Sequence, residues 1–192
     1  MATPVLLRLE TERLVLRAGE PADATTFRTL WTERDDRVPP HRRIGADGRP
    51  TVEDIADRLR TEPAQQPLRL LTVVRRGSGD VLGYCGLIAH GNGSPEEPEL
   101  AYELLRSAQG RGHATEAARA AVSWADGAGF RRLWAGVWDW NTASRRVLRK
   151  LGFAVTGRIA PSSVHGHTLL AVRERGDHPA EARPTSGDRG PR

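Results

Sequence analysis

The chain predicts a mixed α/β (α+β) single domain of about seven short strands and four helices. Three observations carry that expectation. Apolar alternation of period two recurs in short runs bounded by Gly, Pro and Asn. A strand-like run, ELAYELL (99–105), leads through a loop with Gly110 and Gly112 into the alanine-rich amphipathic run to Ala128. The 192 residues, 38% apolar and 28% charged, suffice for one domain with a full core.

Taken in order, Arg13 to Arg17 (RLVLR) reads as a strand with Leu14 and Leu16 on one face. Pro21 opens a helix to about Arg34, with Ala24, Phe27, Leu30 and Trp31 at helical spacing. Asp35 to Pro50 carries three prolines and two glycines and reads as a loop. A second helix covers Val52 to Arg60, with Thr51 as N-cap, Asp54 three residues on, and Ile55 and Leu59 on its buried face. A β-meander follows: Leu68 to Arg75, Val81 to His90 and Glu99 to Leu105, joined by turns rich in Gly and Asn. The helix from Gly112 to Ala125 places Ala114, Ala117, Ala118, Ala121 and Ala125 on one face, so it can lie close to a sheet. Leu133 to Trp138 is a strand. Asn141 caps a helix through Leu151 that ends at Gly152, with Leu148 and Phe153 placed to touch across a Schellman turn. Phe153 to Ile159 and His167 to Arg173 are the last strands. From Gly176 the chain is rich in Pro, Gly and charge, so residues 1–175 read as one domain and 176–192 as a disordered tail.

The glycine loop is the chemically pointed feature. Its glycines let backbone N–H groups approach an anion, and the helix behind adds roughly half a positive charge at its first turn. A phosphate-bearing ligand is expected there. The net charge of +5 comes from 29 basic residues, of which only Lys150 is lysine. They are spread along the chain with no basic run of five, so composition suits a preference for arginine better than nucleic-acid binding. No apolar run nears the ~20 residues of a membrane helix, and charges interrupt the N-terminal segment where a signal peptide needs an apolar centre. A cytoplasmic protein is expected, with no membrane or nucleic-acid partner. The single cysteine, Cys85, rules out an internal disulfide, and its mid-strand place suits a small buried residue. His165 and His167 are too few to suggest a metal site, and none is expected.

Three ordered segments resemble the GNAT acyl-CoA N-acetyltransferases. QGRGHA (109–114) matches the family's Q/R-x-x-G-x-G/A signature, and GHATEAARA is similar to the form found in the RimJ/RimL branch. TERLVLR resembles that branch's first strand, and NTASRRVLRKLGF (141–153) its second signature, Asn-x-x-Ser followed by a helix ending in Gly-Phe. The resemblance spans roughly Leu9 to Glu174. It implies a twisted, mostly antiparallel seven-stranded sheet flanked by about four helices and split between its fourth and fifth strands, Glu99–Leu105 and Leu133–Trp138.

The same resemblance implies direct transfer of an acetyl group from acetyl-CoA to a primary amine, on a protein N-terminus or a small molecule. The backbone of Leu104, Leu105 and Arg106 would pair with the pantetheine arm. Gln109, Gly110, Arg111, Gly112, His113 and Ala114 would form the pyrophosphate loop, with Arg111 adding charge. Asn141 would bind the arm while capping its helix, and Ser144 would serve the leaving thiolate. Glu99 is the first candidate for a base, with Glu103 on the same strand face and His90 at a strand end behind it. Two departures bear on the base. The positions just beyond Ser144, Arg145 to Leu148, hold no tyrosine, and Ile159 to Val164 (IAPSSV) holds no carboxylate. Both favour an acceptor of low pKa. Trp140, next to Asn141, is the best of Trp134, Trp138 and Trp140 for an aromatic wall of the acceptor site. A non-catalytic acyl-CoA-binding module is the alternative reading. Monomer and homodimer are both compatible with the sequence.

Overall fold

A computed structural model describes residues 4–63, 66–89, 96–162 and 165–175, with backbone alone for 158–162. The expected tail at 176–192, His90 and most of the turn before Pro98 lie outside the described residues. Eight strands form one sheet: β1 (Arg8–Glu10), β2 (Leu14–Arg17), β3 (Leu70–Arg75), β4 (Val81–Ile88), β5 (Glu99–Leu104), β6 (Arg132–Trp138), β7 (Ala154–Ser162) and β8 (Gly166–Glu174). Their order across the sheet is β1-β2-β3-β4-β5-β6-β8-β7. Every neighbouring pair is antiparallel except β5 with β6. The count exceeds the expected seven by β1, where one apolar residue between two charges leaves no readable alternation; pairing with β2 makes it a strand.

Four helices pack on the sheet: α1 (Ala24–Thr32), α2 (Val52–Thr61), α3 (His113–Gly127) and α4 (Thr142–Lys150). Helix α1 follows a single 3-10 turn at Pro21–Asp23 and stops at Thr32, two residues earlier than expected. That early stop releases Arg34 from the helix. At α2 the capping box forms: Asp54 N–H donates to Thr51 Oγ1 at 3.1 Å, and Thr51 N–H donates to Asp54 Oδ2 at 2.8 Å. At the end of α4 the Schellman bonds are present, Phe153 N–H to Leu148 O at 3.0 Å and Gly152 N–H to Arg149 O at 3.1 Å, with Gly152 at φ 84°.

The core lies between α3 and the sheet. Ala117, Ala118, Ala121 and Ala125 are fully buried and bring the helix down onto Leu14, Leu16, Leu71, Cys85, Leu87, Leu100 and Leu133. Burial pushes the Cys85 thiol well above its usual pKa. Helices α1 and α2 cover part of the opposite face. No helix among the described residues is long and apolar enough to cross a membrane.

Charged groups also sit inside this frame, Asp23 among them. Asp23 is 2% exposed. It takes both terminal nitrogens of Arg17 at 2.7 and 2.9 Å, the Thr72 hydroxyl at 3.0 Å and the Glu20 N–H at 2.9 Å. Burial works against its charge, but these donors outweigh it and hold the carboxyl below its ordinary pKa. The folded pKa is therefore below the unfolded one. The stabilisation is full above about pH 4 and is lost as pH falls through the depressed value. Asp23→Asn is expected to cost about 2–4 kcal/mol and lower the Tm by about 5–15 °C at pH 7. The difference from wild type should shrink below pH 4, as thermal melts across pH 3–7 will check.

Candidate active site

The β5–β6 junction creates the site. Strand β5 pairs with β4 over six residue pairs, and β6 with β8 over seven, but β5 and β6 share only Glu99↔Trp134. Beyond that pair the strands part, and a cleft of about 830 Å³ opens between them. Leu105 N–H donates to Leu82 O of β4 at 2.9 Å. Backbone groups alternate in direction along a strand, so those of Tyr102 and Leu104 face the opening.

The glycine loop lies at one end of the cleft. Gly110 and Gly112 have φ of 72° and 82°, which a residue with a Cβ adopts only at a cost of about 1–2 kcal/mol. Gly112 is the N-cap of α3, a 15-residue helix, so the N–H groups of its first turn have no intrahelical partner. Gly110, Gly112, His113, Ala114 and Thr115 line the cleft. The loop is tied to the start of β2. Glu116, in the first turn of α3, accepts from the Thr11 hydroxyl at 2.6 Å, Arg13 N–H at 2.9 Å and Arg13 Nε at 2.7 Å, while Arg13 Nη1 donates to Arg111 O at 3.1 Å. A donor set of orphan N–H groups on a positive helix end fits a pyrophosphate.

The start of α4 faces the same space. Asn141 Oδ1 accepts the Ser144 N–H at 3.0 Å, which leaves the Asn141 amide NH₂ for other acceptors. Ser144 Oγ lies 2.7 Å from the Tyr102 hydroxyl, which also donates to Ser144 O at 3.1 Å. Asn141, Ser144 and Tyr102 all line the cleft. Burial pushes the Tyr102 pKa up to about 12.

Among the described residues three carboxylates line the cleft, Glu33, Asp35 and Glu103, and each is engaged. Arg34 grips Glu103 with two nitrogens, at 2.8 and 2.5 Å, and the Tyr84 hydroxyl donates to Glu103 at 2.8 Å. Burial and the Glu103 charge raise the Tyr84 pKa, so Tyr84 stays a donor. Burial opposes the charge on Arg34, yet its bonds to Glu103 leave its pKa raised. Glu33 accepts the Arg106 N–H at 2.8 Å. Asp35 is held by Arg37 at 2.8 Å, which keeps its carboxyl far below the usual range. Arg37 in turn lies over the Trp140 ring at 4.1 Å, and Trp140 stacks on Trp138 with centroids 6.1 Å apart.

Most of the candidate residues named from sequence meet at this cleft: Glu103, Leu104, Arg106, Gln109, Gly110, Gly112, His113, Ala114, Asn141 and Ser144 line it. Leu105, Arg111 and Glu99 do not. The Glu99 carboxylate accepts the Gly136 N–H at 3.1 Å, where the two strands part. The Arg106 and Leu105 N–H groups are engaged by Glu33 and Leu82, while alternation turns the backbone groups of Tyr102 and Leu104 toward the opening. Gln109 Nε2 donates to Leu104 O at 2.9 Å. His113 is buried with Nδ1 3.3 Å from Ala108 O. Trp138 and Trp140 line the cleft; Trp134 instead donates to Glu97 at 2.8 Å. Sequence reasoning missed Tyr102, Arg34 and Tyr84. For Tyr102 the signal was present, since alternation in ELAYELL puts it on the face of Leu100 and Leu104, opposite the glutamates.

A family model described as an acetyltransferase (GNAT) domain matches residues 13–154. The chain belongs to the GNAT acetyltransferase family. Among solved structures similar to it is a GnaT-family acetyltransferase from Bordetella pertussis, 26% identical, with a TM-score of 0.67 over 88% of this chain and 99% of the other. Another is yncA from Salmonella typhimurium, solved with its cofactor acetyl-CoA: 19% identity, TM-score 0.63, covering 87% of this chain and 96% of that one. A third is RimL, a ribosomal-protein α-N-acetyltransferase in complex with coenzyme A: 16% identity, TM-score 0.69, covering 87% and 97%. No curated protein matches the chain. The β5–β6 opening of this GNAT domain thus belongs to a fold shared by several acetyltransferases.

The Arg34–Glu103 pair can be tested directly. Arg34→Met strands Glu103 beneath Tyr84 and is expected to lower the Tm by about 5–10 °C, whereas Arg34→Met with Glu103→Leu should recover most of the loss. Thermal melts of the two variants decide this.

Proposed function

We propose that this GNAT domain transfers an acetyl group from acetyl-CoA directly to a primary amine that arrives already neutral, the α-amine of a protein N-terminus or a small-molecule amine of similar basicity. One observation carries the acceptor class: among the described residues, every carboxylate lining the cleft is held by an arginine side chain or a backbone N–H. These partners occupy carboxylate oxygens that an incoming ammonium would otherwise meet. At pH 7.5 roughly a third of an α-amine of pKa ~7.7–8.0 is neutral, against about a thousandth of a lysine side chain of pKa ~10.4. A cleft whose described carboxylates are already engaged favours the first. The α-amine reading also agrees with the RimJ/RimL-like segments of the sequence.

In this reading the loop and first-turn amides of Gly110–Ala114 hold the pyrophosphate. The open edge at Tyr102 and Leu104 pairs with the amides of the pantetheine arm as an added strand would. The amine nitrogen attacks the thioester carbon, the C–S bond breaks, the sulfur leaves as thiolate, and the surplus amine proton passes to water. Ser144 faces the leaving sulfur. Glu99 keeps the apex of the split closed through Gly136 N–H, and Glu103 holds Arg34 in place; neither acts as the base.

Acetyl-CoA should raise the Tm of the chain, and Gly112→Ala should weaken its binding by about 10-fold, as isothermal titration will show. In a thiol-release assay, kcat/KM should rise with pH and level off above the pKa of the acceptor amine. Amines near pKa 8 should be used at least about 100-fold better than lysine side chains at pH 7.5. Glu99→Gln should retain activity within about 5-fold with an unchanged pH profile; a loss of two orders of magnitude or more would restore Glu99 as the base. Acetyl-CoA binding without turnover on any amine would favour a binding module instead.

A further inference from the structure

The contact between Tyr102 and Ser144 joins two elements that the open strands otherwise keep apart. Tyr102 stands on β5 and Ser144 in the first turn of α4, 42 residues on, and both side chains face the cleft. We propose that Tyr102 is a positioning residue that sets the Ser144 hydroxyl, so that Ser144 meets the leaving sulfur with a hydrogen bond and no proton changes owner. The proposal rests on the acetyl-transfer reading above and goes beyond it.

Tyr102 carries one hydroxyl proton and has two acceptors in reach, Ser144 Oγ at 2.7 Å and Ser144 O at 3.1 Å. The backbone oxygen only accepts, whereas each hydroxyl can donate once and accept. The same heavy atoms therefore support two arrangements. In one, Ser144 donates to Tyr102 and Tyr102 donates to the Ser144 carbonyl. In the other, Tyr102 donates to Ser144 Oγ, and the Ser144 proton is turned into the cleft. Negative charge on a sulfur in the cleft selects the second. The change needs two hydroxyl rotations and no movement of carbon, nitrogen or oxygen. The donor is thus organised before the charge develops, the condition under which such donors contribute most. The Tyr102 bond to Oγ also polarises the Ser144 hydroxyl outward.

Both protons stay on their own oxygens. A tyrosine whose pKa is about 12 is a far weaker acid than a thiol of pKa about 8.5, so passing its proton through Ser144 to the thiolate would run uphill. A thiolate is a competent leaving group without it. The pair therefore lowers the energy of the charged sulfur and leaves no titration of its own in the rate.

A double-mutant cycle on kcat tests this, with Tyr102→Phe, Ser144→Ala and the double variant, using acetyl-CoA and the best amine acceptor. Tyr102→Phe keeps the ring and should lower kcat by roughly 10-fold while KM for acetyl-CoA stays within about 2-fold. The double variant should be no slower than Ser144→Ala alone, because Tyr102 acts only through that hydroxyl. The pH profile of Tyr102→Phe should keep its wild-type shape, and Ser144→Thr, which retains a hydroxyl, should keep more activity than Ser144→Ala. An unchanged kcat in Tyr102→Phe, or losses that multiply in the double variant, would overturn the proposal while leaving acetyl transfer standing. Disappearance of an alkaline limb from the profile of Tyr102→Phe would overturn it in favour of proton donation by the tyrosine. A wild-type chain that releases no thiol with any amine would overturn both readings at once. Thermal midpoints of the variants, kept above the assay temperature, separate these outcomes from unfolding.

Discussion

The ladder between β5 and β6 ends after one residue pair, and the rest of the site depends on that ending. A sheet interior normally leaves no backbone group without a partner, because each buried orphan costs about 1–3 kcal/mol. Here the groups of Tyr102 and Leu104 on β5 have no strand opposite them. The opening stays because its other sides are anchored: β5 is held along its length by β4, β6 along its length by β8, and the Glu99 carboxylate takes the first N–H beyond the junction. Two helices then begin at the opening, α3 after the glycine loop and α4 after Asn141, and both present first turns to it. Their positive ends converge on one space, with Arg146 and Lys150 on the rim. A phosphorylated molecule with an amide-bearing arm satisfies both demands, anion at the helix ends and strand-like pairing at the edge.

The other side of the cleft follows a different electrostatic rule. Arginine is abundant in this chain, and much of it is spent on carboxylates: Arg17 on Asp23, Arg34 on Glu103, Arg37 on Asp35, Arg13 on Glu116, Arg173 on Asp126. The planar guanidinium grips a carboxylate with two parallel bonds, which fixes direction as well as charge. The positive composition thus acts as internal scaffolding around the reaction space. Beside these pairs the cleft also presents backbone, hydroxyl and aromatic surface, from Tyr102, Ser144, Trp138 and Trp140 among others.

Local features were legible in the sequence. Thr51 with Asp54, Asn141 before its helix, Gly152 with Phe153 and the alanine face of α3 each depend on neighbours within one or two turns, so residue order alone specifies them. Strand β1 was not legible, because Arg8–Glu10 acquires its conformation from β2. The glycine loop and the Asn141–Ser144 turn were legible as pieces, and their meeting followed once the strand order was known. The partnerships that set the chemistry were not. Glu103 looks like a free carboxylate on a strand until Arg34, 69 residues earlier, is brought over it by the early stop of α1. Tyr102 could be assigned to a face but not to Ser144, because nothing in the stretch between them, 42 positions apart, states how far α4 stands from β5. Contacts between distant segments are products of packing, and a charge pattern read along the chain misjudges residues whose partners come from elsewhere.

Cys85 gives the fold an incidental transparency. It is the chain's only thiol, it has no exposed surface, and burial keeps it protonated. A reagent that reports thiolates by colour meets no reactive sulfur in the folded protein, because both access and ionisation are denied to it. Any thiol that appears in solution over the intact domain is then a leaving group, counted one per acyl bond broken. The alanine-lined core that brings α3 close to the sheet thereby also makes the protein silent at the wavelength where its own product would speak.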